Sequence, residues 1–264
     1  FVQRLDRGKY TTIALDYDGT LSAKDRESRY NDGLCDDIRD ALVRLLEDSV
    51  ELRIATGRGK SVGSSLKRSI DKKYWPQIKV GYYNGAYLLP LGEEKKLEAW
   101  MDNPFDPELK ALEEELKRRI PENCVNYKCA ERRQQLSIEG EMTTEESQIV
   151  YDICREIIWD RQLKGIRVWR SSHSMDIVVY HEVSKLGVIE NPETTLCIGD
   201  YGNMEGNDYE LLTCRASLSV DRVSKNADTC WNIAPSGMTG LDATLYYLSR
   251  LTVADGVIKC KFSI

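Results

Sequence analysis

The sequence predicts an α/β fold: a parallel sheet with crossover helices, interrupted by an inserted α+β unit. Short apolar runs recur at "TTIAL" (11–15), "VELRIA" (50–55) and "QIKVG" (77–81), with an amphipathic helix between the first two. From about Tyr87 the rhythm changes to longer helices and alternating strands, and it resumes at "TTLCIGD" (194–200). The chain of 264 residues, 41% of them hydrophobic, is long enough to bury a sizeable core around such a sheet.

The first run, "TTIAL", is β-branched and apolar without alternation, the mark of a strand covered on both faces. In "DDIRDALVRLLED", Ile38, Ala41, Leu42, Leu45 and Leu46 recur at helical spacing with charges opposite. "VELRIATGR" is a second strand entering a Thr-Gly turn, and "QIKVGYYNGA" a third, expected to end at Asn84-Gly85. Strand, helix, strand, helix, strand is the order of a parallel sheet.

The insert is expected over 87–180, between core segments 1–86 and 181–264. "KKLEAWM" reads as a strand, and "DPELKALEEELKRRI" as a helix with Leu109, Leu112, Leu116 and Ile120 on one face. "RQQLSIEGE" reads as a strand. "TTEESQIVYDICREIIWDRQL" opens with a capping-box pattern at Thr143 or Thr144, followed three residues on by Glu146 or Ser147, and continues as a long helix. "IRVWRSSHSMDIVVY" reads as a hairpin with a Ser-rich turn. After it come the strands "TTLCIGD" and "ASLSV" and a last helix, "GLDATLYYLSRL".

The balance of 37 Lys and Arg against 43 Asp and Glu, net −6, argues against general binding to nucleic acid or an anionic membrane. No run of about 18 apolar residues and no secretory signal pattern is present, so a cytoplasmic location is expected. The first residue is Phe1 rather than Met, which leaves open a further domain before it. The eight cysteines are scattered and read as mostly buried thiols; Cys124 and Cys129 alone cannot complete a four-coordinate metal site.

In an open parallel sheet, ligands bind beyond the carboxyl ends of the strands. Four positions there carry chemistry: Asp16 and Asp18, Thr56 with Gly57, Lys185, and Asp200. Three carboxylates gathered together need a divalent cation, and Mg²⁺ takes oxygen ligands while binding substrate phosphate. A carboxylate can serve as nucleophile, a second one two residues on as acid and base, and a lysine with a hydroxyl and turn amides can offset the charge of a transferring phosphoryl group.

The four segments "DYDGT" (16–20), "ATGR" (55–58), "SK" (184–185) and "GDYGNMEGND" (199–208) stand in one order along the chain. In this the chain resembles the haloacid dehalogenase superfamily, in particular phosphatases with a large α/β cap, the group of the Cof-type, sucrose-phosphate and trehalose-phosphate phosphatases and of phosphomannomutases. The resemblance implies a Rossmann-like core and a cap that chooses the substrate. It also implies Asp16 as nucleophile, Asp18 as general acid and base, and Thr56, Gly57 and Lys185 as phosphate ligands. Mg²⁺ would be held by Asp16, Asp200 and the backbone carbonyl of Asp18, with Asp208, or less favourably Asn203, supporting it from farther out. Only "LGVIENPE" separates Lys185 from the next strand, where the superfamily has a helix of several turns; the connection is either a helix of about two turns or lacks residues.

The function expected is hydrolysis of a small phosphorylated metabolite, a sugar phosphate, through an aspartyl-phosphate. A phosphomutase, a metal-dependent glycosyltransferase using the Asp-x-Asp, and a catalytically silent regulatory module stay open as alternatives. Arg132, Arg133, Arg170 and His173 are candidate substrate contacts from the insert, and Asn84-Gly85 reads as a turn with a substrate contact open to it.

Overall fold

The computed structural model describes residues 1–23, 33–120, 127–140, 142–171, 174–227 and 230–262. His173 and Cys124 lie outside the described residues. The other seven cysteines are free thiols, Cys35 exposed, Cys129 half-buried and the rest buried. Among the described residues, no helix is long and apolar enough to cross a membrane.

A six-stranded sheet forms the core. It is built from β1 (Thr12–Asp16), β2 (Glu51–Ala55), β3 (Ile78–Gly81), β4 (Tyr87–Pro90), β9 (Thr195–Tyr201) and β10 (Ser217–Arg222), in the order β10-β9-β1-β2-β3-β4. All neighbours are parallel except β3 and β4. Ile13, Ala14 and Leu15 of β1 are fully buried, which explains the continuous apolar run: helices cover both faces of a central parallel strand. The helix Asp36–Glu47 buries Ile38, Leu42, Leu45 and Leu46, its two N-terminal aspartates suiting the positive end of the helix dipole.

The second sheet is antiparallel, formed by β5 (Tyr127–Arg132), β6 (Gln135–Gly140), β7 (Ile166–Arg170) and β8 (Ser174–Val179) in the order β5-β6-β8-β7. The helices Pro107–Arg119 and Thr144–Asp160 pack on it, joining Leu109, Leu112, Leu116, Ile120, Val150 and Ile157 with Leu136, Ile138 and Ile177 in a separate apolar cluster. The expected capping box is formed at Thr143: its Oγ1 accepts the Glu146 N–H at 3.2 Å, and the Glu146 carboxylate accepts the Thr143 N–H at 2.7 Å.

Three expectations are corrected. "KKLEAWM" belongs to a helix, Glu94–Met101, because Leu97, Trp100 and Met101 follow a helical spacing onto the core cluster. Trp100 stacks on Tyr83 and Tyr87 there. The insert does not begin at 87, because β4 adds an antiparallel edge to the main sheet and Leu89, Leu91 and Leu97 join its apolar cluster, whereas the insert's own cluster runs from Leu109 to Val179. The third strand stops at Gly81, and Tyr83 (φ 52°), Asn84 (φ 55°) and Gly85 (φ 82°) form a left-handed turn instead. The chain also closes with a hairpin, Leu251–Ala254 and Val257–Cys260, which pairs with itself and bridges to Tyr10.

Candidate active site

The ends of the parallel strands meet at one point. Asp16 closes β1 opposite Ala55 of β2, and Asp200 lies in the neighbouring strand β9. Asp16, the last residue of β1, and Asp18, just past it, line the same cavity, while Tyr17 between them is buried and shares a hydrogen bond with Ser65 at 2.6 Å. Gly19 then takes φ 86°, a value that favours glycine, and the Thr20 carbonyl accepts the Thr244 hydroxyl at 2.8 Å, pinning the turn to the last helix.

Lys185 reaches this point by a short route. Two single-turn 3-10 helices, Lys185–Val188 and Pro192–Thr194, fill the connection to β9, so no helix of several turns is needed. Ser184 caps the first of them by accepting the Leu186 N–H at 3.1 Å. A Cβ on Gly85 would stand 2.2 Å from the Ser184 carbonyl oxygen. The Asn84-Gly85 turn is therefore what lets the backbone before Lys185 come close enough to bury the lysine.

Lys185 is fully buried and donates to Asp16 Oδ1 and Asp208 Oδ1, both at 2.6 Å. The second oxygen of Asp208 accepts the backbone N–H groups of Asp200 and Tyr201, each at 3.0 Å. Asp208 is thus a brace between the lysine and the backbone that carries Asp200. Oxygens of Asp16, Asp200 and Asp208 lie within 4.8 Å of one another. Burial and the neighbouring Asp208 push the Asp16 carboxyl well above its ordinary value, although Lys185 opposes them. Asp208, equally buried, is held below its ordinary value because Lys185 and the two backbone donors outweigh burial. Burial alone would lower Lys185, but its two carboxylate partners raise it, so it stays charged.

This cluster fits a divalent cation. Three buried carboxylates face one ammonium, an excess of negative charge that burial makes costly. Asp16 Oδ2 is buried and, among the described residues, has no hydrogen-bond partner, as a metal-ligating oxygen would.

Thr56 follows β2 and is fully buried; its Oγ1 accepts the Arg58 N–H at 3.0 Å. Arg58 itself donates to Asp18 Oδ1 at 3.1 Å. Asp16, Asp18, Gly57 and Asp200 line a cavity of about 180 Å³, whose opposite wall comes from the insert. Thr56, Lys185 and Asp208 stand buried behind that surface.

Of the insert arginines, Arg132 lines the cavity. Arg133 lies over the Trp100 ring instead, and Arg170 is held by Gln148, Ser147 and Glu205. Asn207, rather than Asn203, reaches the cavity. Asn84 does not line it but ties the two sheets together, donating to Asp176 Oδ2 at 2.8 Å and to Gln135 Oε1 at 3.0 Å.

Sequence reasoning missed Arg58, Asp176 and Gln135. Asp176 is a lone carboxylate in the strand "SMDIVV" and 2% exposed, with Asn84, Ser137 and Ser174 as donors. Burial pushes its carboxyl above the ordinary value. The signal available was the charge itself, since an Asp inside an otherwise apolar strand needs buried partners. Gln135 Nε2 donates to the Gly57 carbonyl at 3.3 Å, linking the insert to the turn after β2.

No family model matches the chain, and no curated protein does either. Solved structures do. The C-terminal domain of C. albicans trehalose-6-phosphate phosphatase matches with a TM-score of 0.65 at 12% identity, covering 93% of this chain and 91% of that one. An N-terminally truncated, IMP-bound Plasmodium falciparum IMP-nucleotidase matches with a TM-score of 0.58 at 15% identity over 84% of this chain, which spans 66% of that protein's length. Aspergillus fumigatus trehalose-6-phosphate phosphatase matches with a TM-score of 0.51 at 15% identity over 94% of both chains. What is shared is the fold, a parallel-sheet core with an inserted cap, and at that level the resemblance carried by the four motifs stands.

Proposed function

We propose that the chain is a Mg²⁺-dependent phosphohydrolase that cleaves a small phosphomonoester, a sugar phosphate, through a covalent phosphate on Asp16. One observation carries this reading: Asp16 ends a buried strand at the cavity, gripped on one oxygen by Lys185 at 2.6 Å while its other oxygen has no hydrogen-bond partner among the described residues. The solved structures named above lend it support through their fold.

In the first step the Asp16 carboxylate attacks phosphorus and the bond to the ester oxygen breaks, with Asp18 delivering a proton to the departing oxygen. In the second, Asp18 as carboxylate takes a proton from water, whose oxygen attacks phosphorus. The bond to Asp16 then breaks, and inorganic phosphate leaves with the carboxylate restored. Arg58 holds Asp18 Oδ1 and so fixes where its proton is exchanged. Thr56, the Gly57 turn and Lys185 offset the charge of the phosphoryl group. Magnesium, held by Asp16, Asp200 and the Asp18 carbonyl, would supply the positive charge that lets a phosphate dianion approach a carboxylate nucleophile.

The test is phosphate release from a phosphomonoester, together with acid-quench trapping of labelled phosphate on the protein. Asp16→Asn is expected to abolish release and trapping while circular dichroism stays native, and chelation is expected to stop turnover until Mg²⁺ is restored. Turnover by Asp16→Asn near that of the unaltered protein, or a rate indifferent to chelator, would overturn the proposal.

A further inference from the structure

A polar network of Asn84, Gln135, Ser137 and Asp176, all buried, joins the insert to the core. Asn84 gives its amide protons to the insert, to Asp176 Oδ2 at 2.8 Å and to Gln135 Oε1 at 3.0 Å. Gln135 Nε2 donates to Ser137 Oγ at 2.8 Å and to the Gly57 carbonyl at 3.3 Å. The Ser137 hydroxyl donates to Asp176 Oδ1 at 2.9 Å, which closes the circuit; the register of β6 and β8 sets these two residues opposite each other.

The backbone of the same asparagine holds the turn after β2. Its N–H donates to the Thr56 carbonyl at 2.7 Å, and the Tyr83 N–H donates to the Arg58 carbonyl at 3.1 Å. The turn is therefore gripped from the core by residues 83–84 and from the insert by Gln135. Gly57 lies at the meeting point, since a Cβ there would stand 3.0 Å from Asp176 Oδ2 and 3.4 Å from either polar atom of the Asn84 amide. Donors and acceptors match in one arrangement only. Turning the Asn84 amide over would set its oxygen against the Asp176 carboxylate, and turning Gln135 over would set its oxygen against the Gly57 carbonyl. A network of this kind is either whole or leaves buried groups unsatisfied, so it does not yield gradually.

We infer that Asn84 and Gln135 are positioning residues: they join the seat of the insert and the shape of the Thr56–Arg58 turn into one unit, so that the turn is set for a phosphoryl group only while the insert is seated. This rests on the phosphohydrolase reading, which assigns that turn to the phosphoryl group, and adds to it two residues that act through others. Gly57 and Arg58 line the cavity, whereas Asn84 and Gln135 do not. Any effect of these two on phosphate binding must therefore pass through the turn. Donors fixed before the charged group arrives need no rearrangement when it binds.

The experiment reads the inhibition constant of inorganic phosphate, a ligand that consists of the phosphoryl group alone, against hydrolysis of para-nitrophenyl phosphate in Mg²⁺. Asn84→Gly keeps a residue at ease with φ 55° and deletes the amide. Gln135→Met keeps the length of the side chain and deletes its donor and acceptor. In each variant, with circular dichroism native, the constant is expected to rise about tenfold, as when a connected network loses a hydrogen bond. kcat/KM for the aryl ester is expected to fall by a like factor. The double variant is expected to go no further than the worse single one, because either change opens the same circuit. A constant unchanged in the folded variants, even with Tm lowered, makes the network a structural tie and overturns the inference. So does a double variant in which the two effects multiply to about a hundredfold. If Asn84→Gly loses its native spectrum, folded Gln135→Met decides on the same constant. Wild-type protein that hydrolyses no aryl phosphate overturns the phosphohydrolase reading, and this inference with it.

Discussion

Asp208→Asn tests the brace behind Asp16 and Asp200. The aspartate accepts three hydrogen bonds, one from the Lys185 ammonium at 2.6 Å and two from the backbone amides of Asp200 and Tyr201 at 3.0 Å, with no solvent exposure. An asparagine has one acceptor oxygen and one amino group. If the oxygen faces Lys185, the amino group opposes two amide donors; if it faces the amides, the amino group opposes the ammonium. Either way at least one charge-assisted bond is lost, at about 1.5–3 kcal/mol each, and a buried donor stays unsatisfied at about 1–3 kcal/mol more. Relief of the repulsion between Asp208 and Asp16 offsets part of this. Because Asp208 is held below its ordinary value, its site favours the charge on balance, and neutralising it carries a net cost. A loss of about 3 kcal/mol lowers Tm by about 6–12 °C in a domain of this size. Since the Asp208 side chain holds the backbone of Asp200, a proposed metal ligand, magnesium affinity is expected to weaken about 10–100-fold. Thermal unfolding and a magnesium titration followed by calorimetry read the two effects. A Tm within about 1 °C of wild type and an unchanged magnesium affinity would refute the account of Asp208 as a brace.

Two further outcomes concern the insert. Leu136→Ala, at a fully buried position of the second apolar cluster, is expected to cost about 2–5 kcal/mol in urea unfolding; a midpoint like that of wild type would mean that this cluster does not support the fold. Glu113 is buried and paired with Lys110 at 2.9 Å and Lys117 at 2.7 Å; burial pushes its carboxyl up, but the two lysines outweigh it and hold it below the ordinary value of 4.5. The unfolded chain therefore binds this proton first, so the stabilisation is present above pH 4.5 and is lost as pH falls through the lower folded value. Unfolding free energy measured along an acid series should fall more steeply below pH 4.5 in wild type than in Glu113→Gln; parallel curves would remove Glu113 from the acid response.

What was legible in the sequence followed from local constraints, and what was not followed from tertiary ones. The strand before Asp16 could be read because burial on both faces demands an uninterrupted apolar run, and the helix Pro107–Arg119 because Leu109, Leu112 and Leu116 fall on one buried face at helical spacing. "KKLEAWM" was misread because its four apolar residues, Leu97, Ala99, Trp100 and Met101, fit a period of 2 as well as one of 3.6; the contacts of Trp100 with Tyr83 and Tyr87 are tertiary and not visible in the segment. The insert's contribution to the cavity was hidden for a different reason. Arg132, Glu139 and Asp176 lie on strands whose partners are set by the β5-β6-β8-β7 order, and the side that meets Asp16 is chosen by contacts between sheets far apart in sequence. Asn84 joins these two levels. Its left-handed φ of 55° is a turn signal visible in "NG", yet its amide finds Asp176 92 residues away, and the glycine beside it makes room for the chain that brings in Lys185. A dipeptide that reads as a plain turn thus meets the chain before Lys185 on one side and the insert's strands on the other, which is why the core motifs could be found by pattern and their union with the insert could not.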